Sequence, residues 1–360
     1  YTGGGCPSLL LEPQSTNLTT RSEDFSHASW SKVGANTLGA NAGTSPSGSV
    51  DAYSLIPETL NERHVLRSGF TATSLDVTGS FFVKPNGYNH ISVSMIYSAN
   101  SGGAGVIIDL TDGSTYASKI QSGASFSVKV DDYADGWKRV SLSVTQSANA
   151  SNIFNIGAFD GGAVVWNNGS IAPLFAGNGT DGVLIYGAQI EELPYSTSYI
   201  PTEGAIATRL ADSVTGAGDA TTFNSTEGVL YFEGSALAET SLVNRHISIS
   251  GVSNSNRLYF YYRSSGGFGF ASFVGGVLQT NITFSGTITN TSKIACKYKE
   301  NDYALWVNGV EVGTDTSASV WSSGTLNELA FDNGNYSSDK FFGKVKDVRT
   351  YNTALTDAEL

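Results

Sequence analysis

The chain has 360 residues, 40% of them apolar and only 14% charged, with 41 glycines, one methionine and a formal net charge of −12. Binding to a nucleic-acid backbone needs clustered lysine and arginine; the densest run, Lys344 to Arg349, carries three such charges alternating along a strand, which argues against that partner. No stretch approaches the roughly 18 apolar residues of a membrane span.

Length suggests two domains with sizeable cores, and the preference for Val, Ile, Thr, Tyr and Phe over helix formers predicts a nearly all-β protein. Cys6 and Cys296 fall in different predicted domains without metal-site spacing, so two unpaired thiols are expected and neither a zinc site nor a disulfide framework. The opening YTGGGCPS has no initiator Met and no signal peptide. Residues 1–8 read as a junction to a missing upstream region.

Residues 9–193 form the first predicted domain. Phe25 and Trp30 are the large apolar residues of NLTTRSEDFSHASWSKVG, and the small, polar stretch 35–50 reads as a loop. Strands are predicted over 52–56, 64–70, 79–84, 90–97, 105–110, 125–130, 137–145, 152–159 and 183–186. Ile91, Val93 and Met95 share one face, as do Val140, Leu142 and Val144. Period two with a polar face marks half-buried antiparallel strands, and about nine of them indicate a β-sandwich.

Pro194, Pro201 and Gly204 break the pattern, because proline cannot donate to a strand ladder. The segment 194–213 is therefore expected to be an ordered connector. Residues 214–360 form the second predicted domain, with strands at 228–233, 245–250, 258–263, 267–273, 277–283, 293–299, 303–307, 310–314, 328–331 and 341–351. In YALWVNGVEVGT, Asn308-Gly309 suits a type I′ turn, predicting a tight hairpin. Thr356 and Glu359 have capping-box spacing for a short terminal helix.

Three stretches, NLTTRSEDFSHASW, DGWKRVSLSV and LIYGAQIEELPYSTSYIPTEG, resemble the start, middle and end of a carbohydrate-binding-module-like jelly roll. That version is met in bacteriophage head-spike, head-fibre and tail-fibre proteins, and the resemblance covers roughly residues 6–213. KIACKYKENDYALWVNGVEVG and FFGKVKDVRTYNTALTDAEL resemble a concanavalin A-like or laminin-G-like module over roughly 214–360. The resemblance implies two tandem antiparallel β-sandwiches, a jelly roll and then a concanavalin A-like sandwich. It implies a place on the virion surface, or alternatively an extracellular one, with other virion proteins reached through the upstream region. Calcium-stabilised relatives carry a carboxylate after the first-strand Phe and an Asp pair in the last strand. Here Ser26 follows Phe25 and the last strand has Ala188-Gln189, so no metal site or cofactor is expected.

Catalysis is disfavoured as well. Glycoside hydrolysis needs two carboxyls facing each other, yet Glu233 stands alone in GVLYFEG between Glu227 and Glu239, and Asp131, Asp132 and Asp135 fall in a turn. His27, His64, His90 and His246 are scattered, and neither a nucleophile elbow nor a phosphate loop occurs. Asn-x-Ser/Thr triplets at Asn17, Asn149, Asn168 and Asn178 are discounted as chance in so Ser/Thr-rich a chain.

Glycan binding needs exposed aromatic faces with planar polar neighbours. Trp30 and Trp137 are assigned to the core. Trp166, in the Asn/Gly-rich VVWNNGS, and loop-borne Tyr88 are candidate sugar contacts. In RLYFYYRSS, Tyr259 and Tyr261 share one face and Phe260 and Tyr262 the other, so Tyr259 and Tyr261 complete the candidate set. The expectation is a non-enzymatic virion spike or fibre segment that adheres to a cell-surface or environmental polysaccharide. Accessory modules of a secreted polysaccharide-degrading enzyme are the first alternative, and a spacer or capsid decoration without ligand is the second. No heptad pattern imposes oligomerisation, and a homo-oligomer is left open.

Overall fold

The computed structural model describes residues 8–97, 102–146, 151–239, 243–335 and 339–360. Cys6, Asn149 and nearly all of the junction 1–8 lie outside them. Among the described residues the chain is built of antiparallel β-sheets, with the three-residue 3-10 turn Ala134–Gly136 as its helical element. No helix there is long and apolar enough to cross a membrane. The fold divides into two compact units, residues 14–210 and residues 8–13 with 211–360.

The first unit has two six-stranded sheets. One runs Ser125–Asp132, Lys138–Thr145, Asp76–Asn86, Gly182–Glu191, Val50–Pro57, Asn36–Thr44. The other runs Thr115–Gln121, Gly102–Asp109, His90–Tyr97, Ser151–Phe159, Val65–Thr71, Ser31–Val33. Alternation decides which faces meet. Ile91, Val93 and Met95 from one sheet and Val140, Leu142 and Val144 from the other join a single core, and the rings of Phe81 and Phe154 meet in it 6.2 Å apart. Trp30 and Trp137 are buried.

Two expectations need correction here. The stretch 35–50 is largely a strand, Asn36–Thr44, paired with Val50–Pro57. Its small residues pack closely on the neighbouring strands: a Cβ on Gly39 would lie 2.7 Å from Ser54 Oγ, and one on Gly43 would lie 2.9 Å from Leu184 Cδ1, so either side chain would have to shift. The segment from Pro194 to Leu210, expected as an ordered connector between the domains, is ordered but belongs to the first unit as a strap. The buried Glu191 carboxylate accepts the Thr197 N–H (3.0 Å) and the Ser15 hydroxyl (2.6 Å). Ile200 N–H donates to Gln189 Oε1 (2.6 Å), and Ala207–Arg209 pairs with Ser15–Asn17.

Asn17 holds this arrangement together. It is fully buried; its amide donates to the carbonyls of Ala188 (3.2 Å) and Ile200 (2.8 Å). Its Oδ1 accepts from Thr19 N (3.1 Å), Thr19 Oγ1 (2.6 Å) and Ile190 N (3.1 Å). The Asn-Leu-Thr triplet is thus a structural device, with no amide left for a glycan.

The second unit packs a six-stranded sheet (Leu9–Leu11, Gly343–Tyr351, Glu227–Ala236, Ser292–Lys299, Tyr303–Val307, Val310–Asp315) with a five-stranded one (Val277–Phe284, Phe268–Val274, Arg257–Tyr262, Arg245–Ser250, Glu328–Ala330). Leu9–Leu11 corrects the predicted boundary: it is an edge strand of this sheet, Leu10 opposite Lys344, so the first sandwich starts at residue 14 and not 9. Local periodicity could not show this, because the strand's partner lies at the far end of the sequence. Phe232 and Phe260 stack at 5.3 Å within the core, where Cys296 is a fully buried free thiol.

Asn308 and Gly309 turn the hairpin between Tyr303–Val307 and Val310–Asp315 with φ of 52° and 76°. A β-branched residue is strained in that region, so Gly309→Val should cost about 1–2 kcal/mol of stability. An unchanged thermal midpoint would contradict the turn assignment. At the C-terminal end, Glu359 Oε2 accepts both Thr356 N (2.8 Å) and Thr356 Oγ1 (2.7 Å). The expected terminal helix is only a single hydrogen-bonded turn.

Candidate functional site

The four aromatic residues singled out from sequence do not converge. Trp166 lies in the short strand Val165–Asn167, opposite Pro173, and its half-buried ring packs on the first core. Tyr88 is buried, its ring 6.3 Å from Phe175 and its hydroxyl accepting the Asn178 N–H (3.1 Å). Burial raises its pKa, as expected for a packed phenol. Tyr88 lies in the loop between Asp76–Asn86 and His90–Tyr97, as expected, but presents no open face. The aromatic surroundings that absorb Tyr88 come from residues nearly ninety positions away.

Tyr259 and Tyr261 share the outer face of the five-stranded sheet, while Phe260 and Tyr262 point into the core. The His246 ring stands 4.6 Å from Tyr259 and 5.2 Å from Tyr261. Arg257 lies over Tyr259 (5.2 Å) and Phe273 (5.0 Å), and the Tyr261 hydroxyl donates to Asn281 Oδ1 (3.0 Å). These rings are largely spent on one another. Burial lowers the His246 pKa below its usual 6.5, against the opposing effect of Asp339, whose Oδ2 is 3.9 Å from Nδ1. An unfolded chain takes up this proton near pH 6.5 and the folded one resists it. Stability is therefore expected to fall as pH drops below about 6.5. His246→Gln should flatten that slope in urea titrations, and an unchanged slope would refute the assignment.

An open site appears instead on the outer face of the six-stranded sheet. Register aligns Arg349, Tyr231, Ala295 and Trp306 in one row across four strands. Tyr231 and Trp306 are two strands apart, about 10 Å, and the small Ala295 between them leaves a gap. The result is a trough of about 400 Å³, lined also by Val229, Lys293 and Asn308. The terminal turn closes one side with Leu355 and Glu359, held by the Lys297–Asp357 ion pair (3.3 Å). Bulges flank the row: Val312 is the extra residue opposite Trp306, and Lys346 the extra residue opposite Glu233 and Gly234. Bulges re-aim side chains and recur beside functional sites.

The polar groups of the trough are fixed. The Tyr231 hydroxyl donates to Glu233 Oε2 (3.3 Å), Glu233 Oε1 accepts from Lys346 Nζ (2.6 Å), and Arg349 lies 5.9 Å over the Tyr231 ring. Burial, followed by the Glu233 charge, pushes the Tyr231 pKa up to about 12. Asn308 Oδ1 accepts the Lys293 N–H (2.9 Å), leaving its NH2 at the rim. The Trp306 indole N–H is shielded from solvent and has no acceptor among the described residues.

The three glutamates weighed as catalytic candidates are engaged structurally. Glu233 pairs with Lys346, and Glu227 with Lys299 (3.3 Å). Glu239 accepts the N–H groups of Ile288 (3.2 Å) and Thr289 (3.1 Å). Among the described residues no group of three or more His, Cys, Asp or Glu is placed to hold a metal ion.

Trp306 was missed in the sequence, although its signal was there. In YALWV, residues 303, 305 and 307 alternate with 304 and 306, so a buried Leu305 dictates an outward Trp306.

The second unit is an antiparallel β-sandwich with an aromatic trough on one face. Residues 238–360 match the family described as the concanavalin A-like lectin/glucanases superfamily. Among solved structures, the chain is similar to the CBM40 module of a Ruminococcus gnavus IT-sialidase, with 18% identity over 41% of this chain and 94% of that one and a TM-score of 0.34. It is also similar to domains LG4-5 of the mouse laminin alpha1 chain, with 10% identity over 96% and 90% of the two chains and a TM-score of 0.29. No curated protein sequence matches the chain.

Proposed function

We propose that this protein is a non-enzymatic adhesion segment whose second unit binds a polysaccharide in the trough between Tyr231 and Trp306. The observation that carries the reading is the row Tyr231–Ala295–Trp306, two aromatics flanking a small residue, with fixed polar groups around them. Binding sites combine such apolar walls with a few placed polar groups. A sugar ring seated between the aromatics meets them with its C–H faces, while its hydroxyls meet Asn308 and Lys293 at the rim.

The setting is inferred from the sequence resemblance of residues 6–213: a phage spike or fibre on the virion surface, where copy number multiplies weak contacts into firm adhesion. Accessory modules of a secreted polysaccharide-degrading enzyme would use the same trough in the same way. A glycan array probed with the chain displayed multivalently tests the binding itself. Retention on one glycan class supports the reading, and no retention on any glycan at high display density would leave the spacer interpretation.

A further inference from the structure

We propose that the first unit carries a second saccharide site, independent of the trough, that takes a carboxylate-bearing sugar. At one end of the first sandwich, Lys84, Pro85, Leu110, Tyr133, Trp137 and Lys138 line a cleft of about 540 Å³. Its floor is apolar, and buried Trp137 is anchored by its indole N–H to Thr44 O (3.1 Å). Tyr133 stands in the turn between Ser125–Asp132 and Lys138–Thr145, closed by Tyr133 N–H to Trp137 O (2.8 Å). The Tyr133 ring is perpendicular to Phe82 at 5.0 Å, yet the residue stays 42% exposed. A large aromatic held by a neighbour and still open suits a sugar face.

Charge selects the ligand. Lys84 lines the cleft beside Gly136; Lys138, opposite Val83 and therefore projecting from the other face of its sheet, is also in the lining, as is Asp132. Lys138 is paired with Asp132. Lys84 is half-buried and has no carboxylate within ion-pair distance among the described residues. An ammonium group at an apolar cleft without an ion-pair partner suits a carboxylate, which it meets in a charge-assisted hydrogen bond. In a chain of net charge −12, the overall field repels acidic polymers, so a local lysine is what admits one. A neutral glycan would leave Lys84 uncompensated, whereas a sugar carboxylate stacked beside Tyr133 pairs with it.

Calorimetric titration of the full chain with trigalacturonate, its methyl ester and a sialic acid glycoside tests the site. Saturable binding of trigalacturonate, of the sialoside or of both is expected, with the ester about tenfold weaker than the free uronate, a typical value for one charge-assisted contact. A response to one acid alone tells which sugar class the cleft prefers. Lys84→Met keeps the apolar stem and should lower acid binding about tenfold at unchanged melting temperature. Tyr133→Ala should weaken the acidic and neutral forms alike, and Trp306→Ala should change neither. Equal affinity for acid and ester, insensitivity to Lys84→Met, or no saturable binding of either acidic probe would overturn the proposal. Loss of acid binding in Trp306→Ala alone would move the ligand to the trough, overturning this site while supporting the other.

Discussion

Trp306→Ala is expected to abolish measurable retention of the glycan seated in the trough while leaving the fold in place. The ring stands on the outer face of its strand, half-buried, whereas neighbouring Leu305 and Val307 face the core. Truncating a central aromatic anchor typically costs about 2 kcal/mol or more, or about thirtyfold in affinity. For a shallow sugar site that loss removes detectable monovalent binding. Stability should change by less than about 1 kcal/mol, because a shielded N–H without an acceptor disappears along with the packing area. Tyr231→Phe separates the two parts of the site: it keeps the ring and removes only the hydroxyl bond to Glu233, so a modest loss is expected. Glycan affinity unchanged in Trp306→Ala, measured beside an unchanged melting curve, would remove the trough from consideration.

Asn17→Ala should produce the largest stability loss of any single polar substitution in the first unit. The side chain makes five hydrogen bonds at a site with no solvent access. Deleting it strands the Ile190 N–H and the Ile200 carbonyl, and each buried orphan costs about 1–3 kcal/mol. A total of about 3–5 kcal/mol is expected. The strap 194–210 should detach first, since Ile200 is one of the partners lost. Amide exchange in 194–210 measured beside a urea titration checks both points, and a change under about 1 kcal/mol would show that the strap is held by other contacts. Because Asn17 belongs to the unit 14–210, glycan binding at Trp306 should survive at temperatures where the first unit is already open.

Much of the fold was legible. His90–Tyr97, Arg245–Ser250 and Tyr303–Val307 lie where their alternation put them, because a half-buried strand must repeat every second residue. Asn308-Gly309 turns as its backbone preferences require. The strand Asn36–Thr44 was hidden, because an edge strand of small residues carries no hydrophobic alternation to read. The aromatics divided along the same line. Tyr259 and Tyr261 share an outward face, a matter of local period; Tyr88 does lie in a loop, but its burial against Phe175 is invisible from its own neighbourhood.

The amino-acid sequence by itself determined the all-β character, the two-sandwich plan and the faces of those strands whose apolar residues alternate, since these follow from propensity and period within a few residues. Tertiary structure alone decided that Leu9–Leu11 joins the second unit, that the proline-containing segment straps the first, and that Tyr231, Ala295 and Trp306 form one row. Each of these depends on register between strands distant along the chain. Register is set by which cores close and which hydrogen bonds are completed, and no local pattern carries that information.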